Sequence, residues 1–76
     1  MSTTLAQLVV GNRAKIEKFT DAETSIKLME MGCVPGEIIT VSNIAPFGDP
    51  IAILISGYQL SLRKNEASKV IVSRIN

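Results

Sequence analysis

The chain has 76 residues, the size of one small domain, and we expect residues 1–76 to form a single domain. Eight Lys and Arg residues oppose seven Asp and Glu residues, and no block of like charges marks a nucleic-acid surface. A single cysteine, Cys33, excludes an internal disulfide, and the lack of histidine removes the commonest general base and metal ligand.

We expect neither a membrane-spanning segment nor a secretory signal. The longest unbroken apolar run, Ile51–Ile55, has five residues, whereas a membrane-spanning helix needs roughly 20. Residues 1–5 lack the basic stretch and apolar core of a secretory signal. Together with one free cysteine, these features predict a cytoplasmic protein.

Ten isoleucines and six valines favour strands over helices. A short apolar segment that contains Leu5, Leu8 and Val9 precedes the first predicted strand. The segment Arg13–Lys18 then alternates, with Ala14 and Ile16 facing inward, and this alternation predicts a half-buried strand.

At Thr20 the alternation of apolar and charged residues ends, and the pattern that follows predicts a helix. Thr20 and Glu23 match a capping box, in which the Thr20 hydroxyl accepts the Glu23 amide hydrogen. The helix should run from Ala22 to Met31 and end at Gly32.

This helix has more apolar surface than one sheet requires. At about 100° per residue, one face is polar and two are apolar. The polar face holds Glu23, Lys27 and Glu30; one apolar face, here called the helix stripe, holds Ala22, Ile26 and Met29; the other holds Leu28 and Met31. Either the whole helix is wedged into the core, or one face is exposed and binds a partner.

Turn signals separate the following strands. Val34-Pro35-Gly36 predicts a type II turn, followed by a strand over Ile38–Ile44. Pro46–Pro50 predicts a loop, in which Asp49 accepts an amide hydrogen of the loop itself and holds the turn. Ile51–Ile55 is the next strand, with Ile51, Ile53 and Ile55 on one face.

The last part of the chain predicts a hairpin, a helical turn and a final strand. Gly57-Tyr58 is the predicted reversal, Gln59–Arg63 the strand, and Lys64–Ala67 a helical turn capped by Asn65. Val70–Ile75 closes the chain. About five strands predict a small closed β-barrel, mainly β, with a helical insertion at about residues 21–31 and a short helical turn near 64–67.

Three segments, in order, carry a family resemblance. Leu28–Gly36 resembles the L-x-x-[LM]-G-[hydrophobic]-x-P-G signature of the FeoA family, with Cys33 where an aliphatic residue is common. Ala45–Ile51 resembles its [AP]-P-x-G-D-P loop, and Gly57–Ala67 its G-x-x-[ILV]-[AS]-L-R-x-x-[ED]-A segment. The resemblance extends from about Leu5 to Ile75.

The resemblance implies an SH3-like β-barrel with a helical insertion. It also implies a small cytoplasmic accessory protein of bacterial ferrous iron uptake, acting with the FeoB permease, whose cytoplasmic region carries a GTP-binding domain. A similar fold forms the carboxy-terminal domain of iron-dependent repressors, but this sequence has no helix-turn-helix beside it.

Catalytic, cofactor and metal sites are not predicted. No nucleophile has an activating base, the carboxylates lie in separate turns, and there is no phosphate loop. Cys33, which follows a helix-ending glycine, is expected to be a small buried apolar residue. Arg63 is expected to pair with a carboxylate such as Glu66.

The remaining candidates are contact residues: Ile26 and Met29 on the helix stripe, Phe47 at a loop tip, and Tyr58 beside Gly57. The first hypothesis is docking on FeoB, to regulate or assemble it. The alternative is an SH3-like nucleic-acid or ligand-binding module, or a regulatory domain related to the repressors, although scattered lysines and three aromatics argue against nucleic acid. Whether the chain also self-associates weakly stays open.

Overall fold

The computed structural model describes residues 2–75. They form an antiparallel sheet whose strands follow one another in the order β1-β6-β2-β3-β4-β5. Two short helices and a 3-10 turn pack against this sheet. The strands are β1 Ser2–Thr4, β2 Arg13–Phe19, β3 Ile38–Ile44, β4 Ile51–Ile55, β5 Tyr58–Leu62 and β6 Val70–Ile75, and the helices are α1 Ala22–Glu30 and α2 Lys64–Ala67.

The predicted mainly β class with a helical insertion is confirmed, and the sheet has six strands where the sequence predicts about five. The additional strand is β1, which pairs with β6 so that Thr3 lies opposite Val72. Its residues are Ser and Thr, without the apolar alternation that marks a strand. The 3-10 turn Leu5–Gln7 follows at once and buries Leu5 completely.

The core lies between the inward faces of the curved sheet. On β2, Ala14 and Ile16 are buried and their neighbours carry the charges, as the alternation predicts. The other strands contribute inward residues to the same cluster, and they are Ile39, Val41, Ile51, Ile53, Ile55, Leu62, Val70 and Val72. Register shifts near Ile16 and near Val41 bend the sheet around these side chains.

The sheet is not closed by a strand ladder, contrary to the predicted closed barrel. Within residues 2–75, β1 pairs only with β6 and β5 pairs only with β4. The 3-10 turn and α2 contact each other, and each contributes one fully buried side chain, Leu5 and Ala67. Two helical segments therefore cover core that a closing ladder would otherwise protect.

Two turns set the strand registers. The Val34–Glu37 turn is confirmed, with the Glu37 N–H donating to the Val34 carbonyl at 3.0 Å and φ of +98° at Gly36. The later reversal lies one residue earlier than predicted, at Ser56-Gly57, where φ is +50° and +84°. Two consecutive positive φ values define a two-residue type I′ hairpin, so Tyr58 is the first residue of β5.

The short helix α2 begins without the predicted Asn65 cap. Arg63 occupies the N-cap position, and Asn65 lies inside the helix. The Glu66 carboxylate instead turns back to accept the Arg63 N–H at 3.0 Å, which satisfies a donor at the helix start. Within residues 2–75, neither helix has the length and apolar character needed to cross a bilayer.

Candidate docking surface

Helix α1 is fixed at its start by an aspartate rather than by the predicted threonine. The Asp21 carboxylate accepts the Thr24 N–H at 3.1 Å, so Asp21, not Thr20, is the N-cap. This hydrogen bond is the largest of the causes that lower the pKa of Asp21. The Thr20 N–H donates to the Lys69 carbonyl at 2.9 Å, which joins this end of the helix to the start of β6.

The other end of α1 is a Schellman motif built on Gly32. The Cys33 N–H donates to the Leu28 carbonyl at 2.9 Å and the Gly32 N–H to the Met29 carbonyl at 3.1 Å. Gly32 has φ of +102°, which confirms its predicted role as the residue that ends the helix. The motif brings Cys33 back beside Leu28, and both side chains are buried in the core.

The helix stripe is exposed. Ile26 is 62% and Met29 43% exposed, whereas Leu28 is fully buried and Thr24 is nearly so. The Leu28 face therefore anchors α1, and the interpretation that the whole helix is wedged into the core is wrong. A helix of nine residues with one core-facing edge leaves the stripe open for another surface.

Tyr58 spans from β5 to the end of α1. It lies on the side of β5 that faces the core, because it pairs with the buried Ile55. Its hydroxyl donates to the Met31 carbonyl at 3.2 Å, and a Cβ on Gly32 would overlap that hydroxyl. Tyr58 is 45% exposed, so it holds α1 in place and still presents part of its ring to solvent.

Phe47 is the most exposed of the predicted contact residues, at 97%. The loop that carries it is held by its backbone. The Gly48 N–H donates to the Ala45 carbonyl at 2.7 Å, and the Ala45 N–H donates to the Pro50 carbonyl at 3.1 Å. The ring is therefore presented on an ordered turn with no side chain packed over it.

Asp49 links this loop to α2. Its carboxylate accepts the Lys64 N–H at 2.9 Å, at the first residue of the helix. The prediction that Asp49 accepts an amide hydrogen of its own loop is therefore wrong in its donor, which lies in α2. This bond fixes the loop that bears Phe47 relative to α2.

A salt bridge links α2 to α1. The Lys27 ammonium contacts the Glu66 carboxylate, so the predicted pairing of Arg63 with Glu66 is wrong. Arg63 contributes its backbone N–H instead. The Lys27 contact, followed by the Arg63 N–H, lowers the pKa of Glu66. The loop with Phe47, α2 and α1 therefore form one connected series of contacts.

Cys33 behaves as the sequence predicts. Its side chain is buried, and burial raises the pKa of the thiol to about 11. A thiol with this pKa stays protonated at neutral pH and is a poor nucleophile or metal ligand. Within residues 2–75, no three His, Cys, Asp or Glu side chains lie close enough together to hold a metal ion.

The structure thus places the four predicted contact residues in three positions. Ile26 and Met29 share the helix stripe, Tyr58 lies across Gly32, and Phe47 lies on the 45–50 loop. The sequence did not reveal the Lys27–Glu66 bridge, whose partners are 39 residues apart. It also did not show that Tyr58 and Gly32, from two separate motifs, fit against each other.

A curved antiparallel sheet with a short helix inserted between its second and third strands defines a small SH3-like β domain. The FeoA domain family matches residues 3–74, and the chain belongs to this family, which is associated with ferrous iron transport. The resemblance to the FeoA family that the three sequence motifs carry is therefore confirmed.

One similar protein is a fusion of two named proteins on one chain. It is an Fe(2+) transport protein A/Fe(2+) transporter FeoB fusion protein of Porphyromonas gingivalis, 37% identical over 73 residues. The match includes 95% of this chain but only 9% of the length of the fusion protein. The region that resembles this chain is therefore a small part of a much larger transporter.

Solved structures of similar proteins have the same fold. An FeoA-like protein from Clostridium acetobutylicum is 34% identical, with a TM-score of 0.92 over 99% of this chain and 88% of that one. FeoA of Stenotrophomonas maltophilia, solved with zinc and described as an SH3 domain protein, is 28% identical, with a TM-score of 0.80 over 93% and 89%. A manganese-dependent transcriptional repressor has a TM-score of 0.89 over 97% of this chain and 41% of its own, but at 16% identity this shows a shared fold alone.

Proposed function

We propose that this protein is a cytoplasmic accessory domain that regulates or assembles the FeoB permease by direct contact with its cytoplasmic region. The observation that carries the proposal is the exposure of apolar side chains on ordered elements, Ile26 and Met29 on α1 and Phe47 on its loop. The fusion protein of Porphyromonas gingivalis supports the choice of partner, because it joins an FeoA region to FeoB on one chain.

The chemistry of the surface favours contact over catalysis. Burying an exposed Ile, Met or Phe side chain contributes roughly 1.5–3 kcal/mol each, so a partner that covers two or three of them gains useful affinity. Charged side chains flank the stripe on one side, with Glu23, Lys27 and Glu30 on the neighbouring face of α1. An apolar centre with a polar rim is the usual composition of a protein–protein interface.

The network beneath the surface supports a rigid docking face. Lys27 and Glu66 join α1 to α2, and Asp49 joins the Phe47 loop to α2. Side chains on elements that are already ordered lose less conformational entropy on binding than those on free loops. Tyr58 remains a predicted contact residue at the edge of this face, through its exposed ring surface.

The test is a binding titration of this chain against full-length FeoB in nanodiscs. We expect the double variant I26E/M29E to weaken binding at least ~10-fold and F47A to weaken it about 5- to 10-fold, since each removes apolar area from the interface. The matched control is V10E, because Val10 is 57% exposed in a turn outside α1 and the loop.

Two results with the variants would contradict the proposal. One is unchanged binding of both I26E/M29E and F47A when circular dichroism shows that the variants are folded. The other is a V10E variant that loses as much affinity as they do, because the loss would then follow from added charge at any exposed site. Failure of the wild-type chain to bind FeoB at all would also refute it.

A further inference from the structure

Strand β5 has an open side. It pairs with β4 alone, and the hairpin that joins them places Ile55 opposite Tyr58, Ile53 opposite Leu60 and Ile51 opposite Leu62. In a two-residue hairpin the closing pair is hydrogen-bonded and every second pair after it is too. The N–H and C=O groups of the intervening residues, Gln59 and Ser61, therefore point away from β4.

These outward groups have no partner among residues 2–75. No backbone or side-chain hydrogen bond reaches Gln59 or Ser61 from outside the hairpin. The next outward N–H along the chain, that of Arg63, is already donated to Glu66. The open edge thus offers four backbone groups, two donors and two acceptors, on two residues.

The edge also lacks the usual protection. Tyr58–Leu62 contains no charged residue and no proline, the features that commonly prevent strand addition. Leu60 and Tyr58 lie on the core-facing side but are only partly buried, because no strand lies beside β5 to cover them. An added strand would cover this apolar surface and pair the free groups.

We propose that the strand that β5 accepts is β5 of a second copy of this chain, in a symmetric antiparallel pair. Gln59 of one copy then exchanges both backbone hydrogen bonds with Ser61 of the other, and Leu60 lies on the two-fold axis. All four outward groups on each copy are satisfied in this register. Tyr58 of each copy lies opposite Leu62 of the other, which shelters part of its exposed ring.

Other registers use the edge less well. Pairing Gln59 with itself places Ser61 opposite Gly57, which belongs to the hairpin turn and not to a strand. Pairing Ser61 with itself places Gln59 opposite Arg63, whose N–H is already taken by Glu66. The register centred on Leu60 is the one in which every free group finds a free partner.

Charges at the two ends of β5 favour the same arrangement. The strand is followed by Arg63 and Lys64, both exposed, and preceded by the Ser56-Gly57 turn. The Ser56 hydroxyl donates to the Glu37 carboxylate at 3.0 Å, which places a negative charge beside this turn. In the antiparallel pair, the two cations of one copy face the Glu37 side of the other, twice per dimer.

The experiment measures self-association of the full chain by sedimentation velocity and by ¹⁵N-HSQC spectra from about 10 µM to about 1 mM, the range expected for a small number of strand hydrogen bonds. We expect the average mass to rise with concentration and the Gln59 and Ser61 amide signals to shift most. S61P should weaken dimerisation at least ~10-fold, because it removes an outward donor that the sheet does not use.

A charge exchange provides a second test that does not depend on S61P folding. E37K should weaken the dimer a few-fold, and E37K/K64E should recover part of that loss. Both effects should become smaller as the salt concentration rises. N43K, a charge added at an exposed position of β3, is the matched control and should not change the association.

The proposal does not rest on docking on FeoB, although both contacts use Tyr58, and the outcomes separate the two. Dimerisation that survives S61P but is lost in I26E/M29E would overturn it, because the contact would then be the helix stripe. A chain that stays monomeric across the whole concentration range overturns the proposal as well. The same holds if the β5 edge proves to bind FeoB and not a second copy.

Discussion

Gly32→Ala tests the most specific contact in the structure. Gly32 has φ of +102° and its missing Cβ would occupy the space of the Tyr58 hydroxyl. Two costs therefore combine in this variant. An alanine in a left-handed conformation costs about 1–2 kcal/mol, and displacing the Tyr58 hydroxyl from the Met31 carbonyl costs about 1 kcal/mol more. We expect a loss of about 2–3 kcal/mol in the free energy of unfolding, a large fraction of the roughly 4–11 kcal/mol typical of a chain of this size.

The partner variant Tyr58→Phe separates the two costs. It removes the hydroxyl and its hydrogen bond, so alone it should cost about 1 kcal/mol. In its background, the new Cβ on residue 32 meets the Tyr58 Cζ position at 3.4 Å, which is close to ordinary van der Waals contact. G32A should then cost only the backbone strain, so the double variant should be about 1 kcal/mol more stable than the two single losses predict.

The assay is urea unfolding followed by far-ultraviolet circular dichroism, since Tyr58 is the one tyrosine and its fluorescence is lost in the phenylalanine variant. Additive losses in the double-mutant cycle would refute the argument, because they would mean that the Tyr58 hydroxyl does not occupy the space beside Gly32. A G32A variant as stable as the wild type would refute the strain as well.

Three further predictions concern the ends of the helices and the buried thiol. D21A should lower the free energy of unfolding by about 1 kcal/mol and T20A by much less, measured by urea unfolding, because Asp21 caps α1; equal losses would contradict the assignment. Because the pKa of Glu66 is lowered from its ordinary value of 4.5, the stability it contributes is complete above that value and is lost as the pH falls through the lowered pKa. Thermal unfolding of E66Q should therefore depend less on pH than that of the wild type in mild acid, and identical pH profiles would argue against the Lys27 contact. Cys33 should resist alkylation by iodoacetamide at about pH 8 and react once guanidinium unfolds the chain, followed by mass spectrometry; fast labelling of the folded protein would show that the thiol is accessible.

The strands were predictable where one face is buried. Ala14 and Ile16 alternate with charged neighbours, and Ile51, Ile53 and Ile55 share one buried face, as period-two patterns require. The strand β1 has no such pattern, because three Ser and Thr residues satisfy a ladder without contributing to the core. Its existence depends on β6, which is distant in sequence.

The boundaries were less predictable than the elements. Thr20 and Asp21 are both good capping residues, and only the fold decides that Asp21 lies in the right position. Asn65 is a good cap that the structure places inside α2, where Arg63 and Glu66 complete the helix start instead. A single-residue shift changes the cap without changing the helix.

The orientation of α1 is the part of the candidate site that periodicity could not decide. Both the Ile26 face and the Leu28 face are apolar, so the pattern fits either of them against the core. The signal that decides it is the Schellman motif, in which the residue after the glycine packs against the residue five positions earlier. Applied to Gly32, that rule pairs Cys33 with Leu28, buries this face and leaves Ile26 exposed.

The antiparallel pairing of β1 with β6 has a mechanical consequence. Ser2 lies directly opposite Ser73, so the first and last described strands end side by side. A force that pulls these two ends apart acts across the ladder and opens its pairs one at a time, beginning with the outermost. Since β1 contributes only three residues to that ladder, tension between the ends should peel it away first, while the load does not reach β3, β4 and β5 until β6 has also separated.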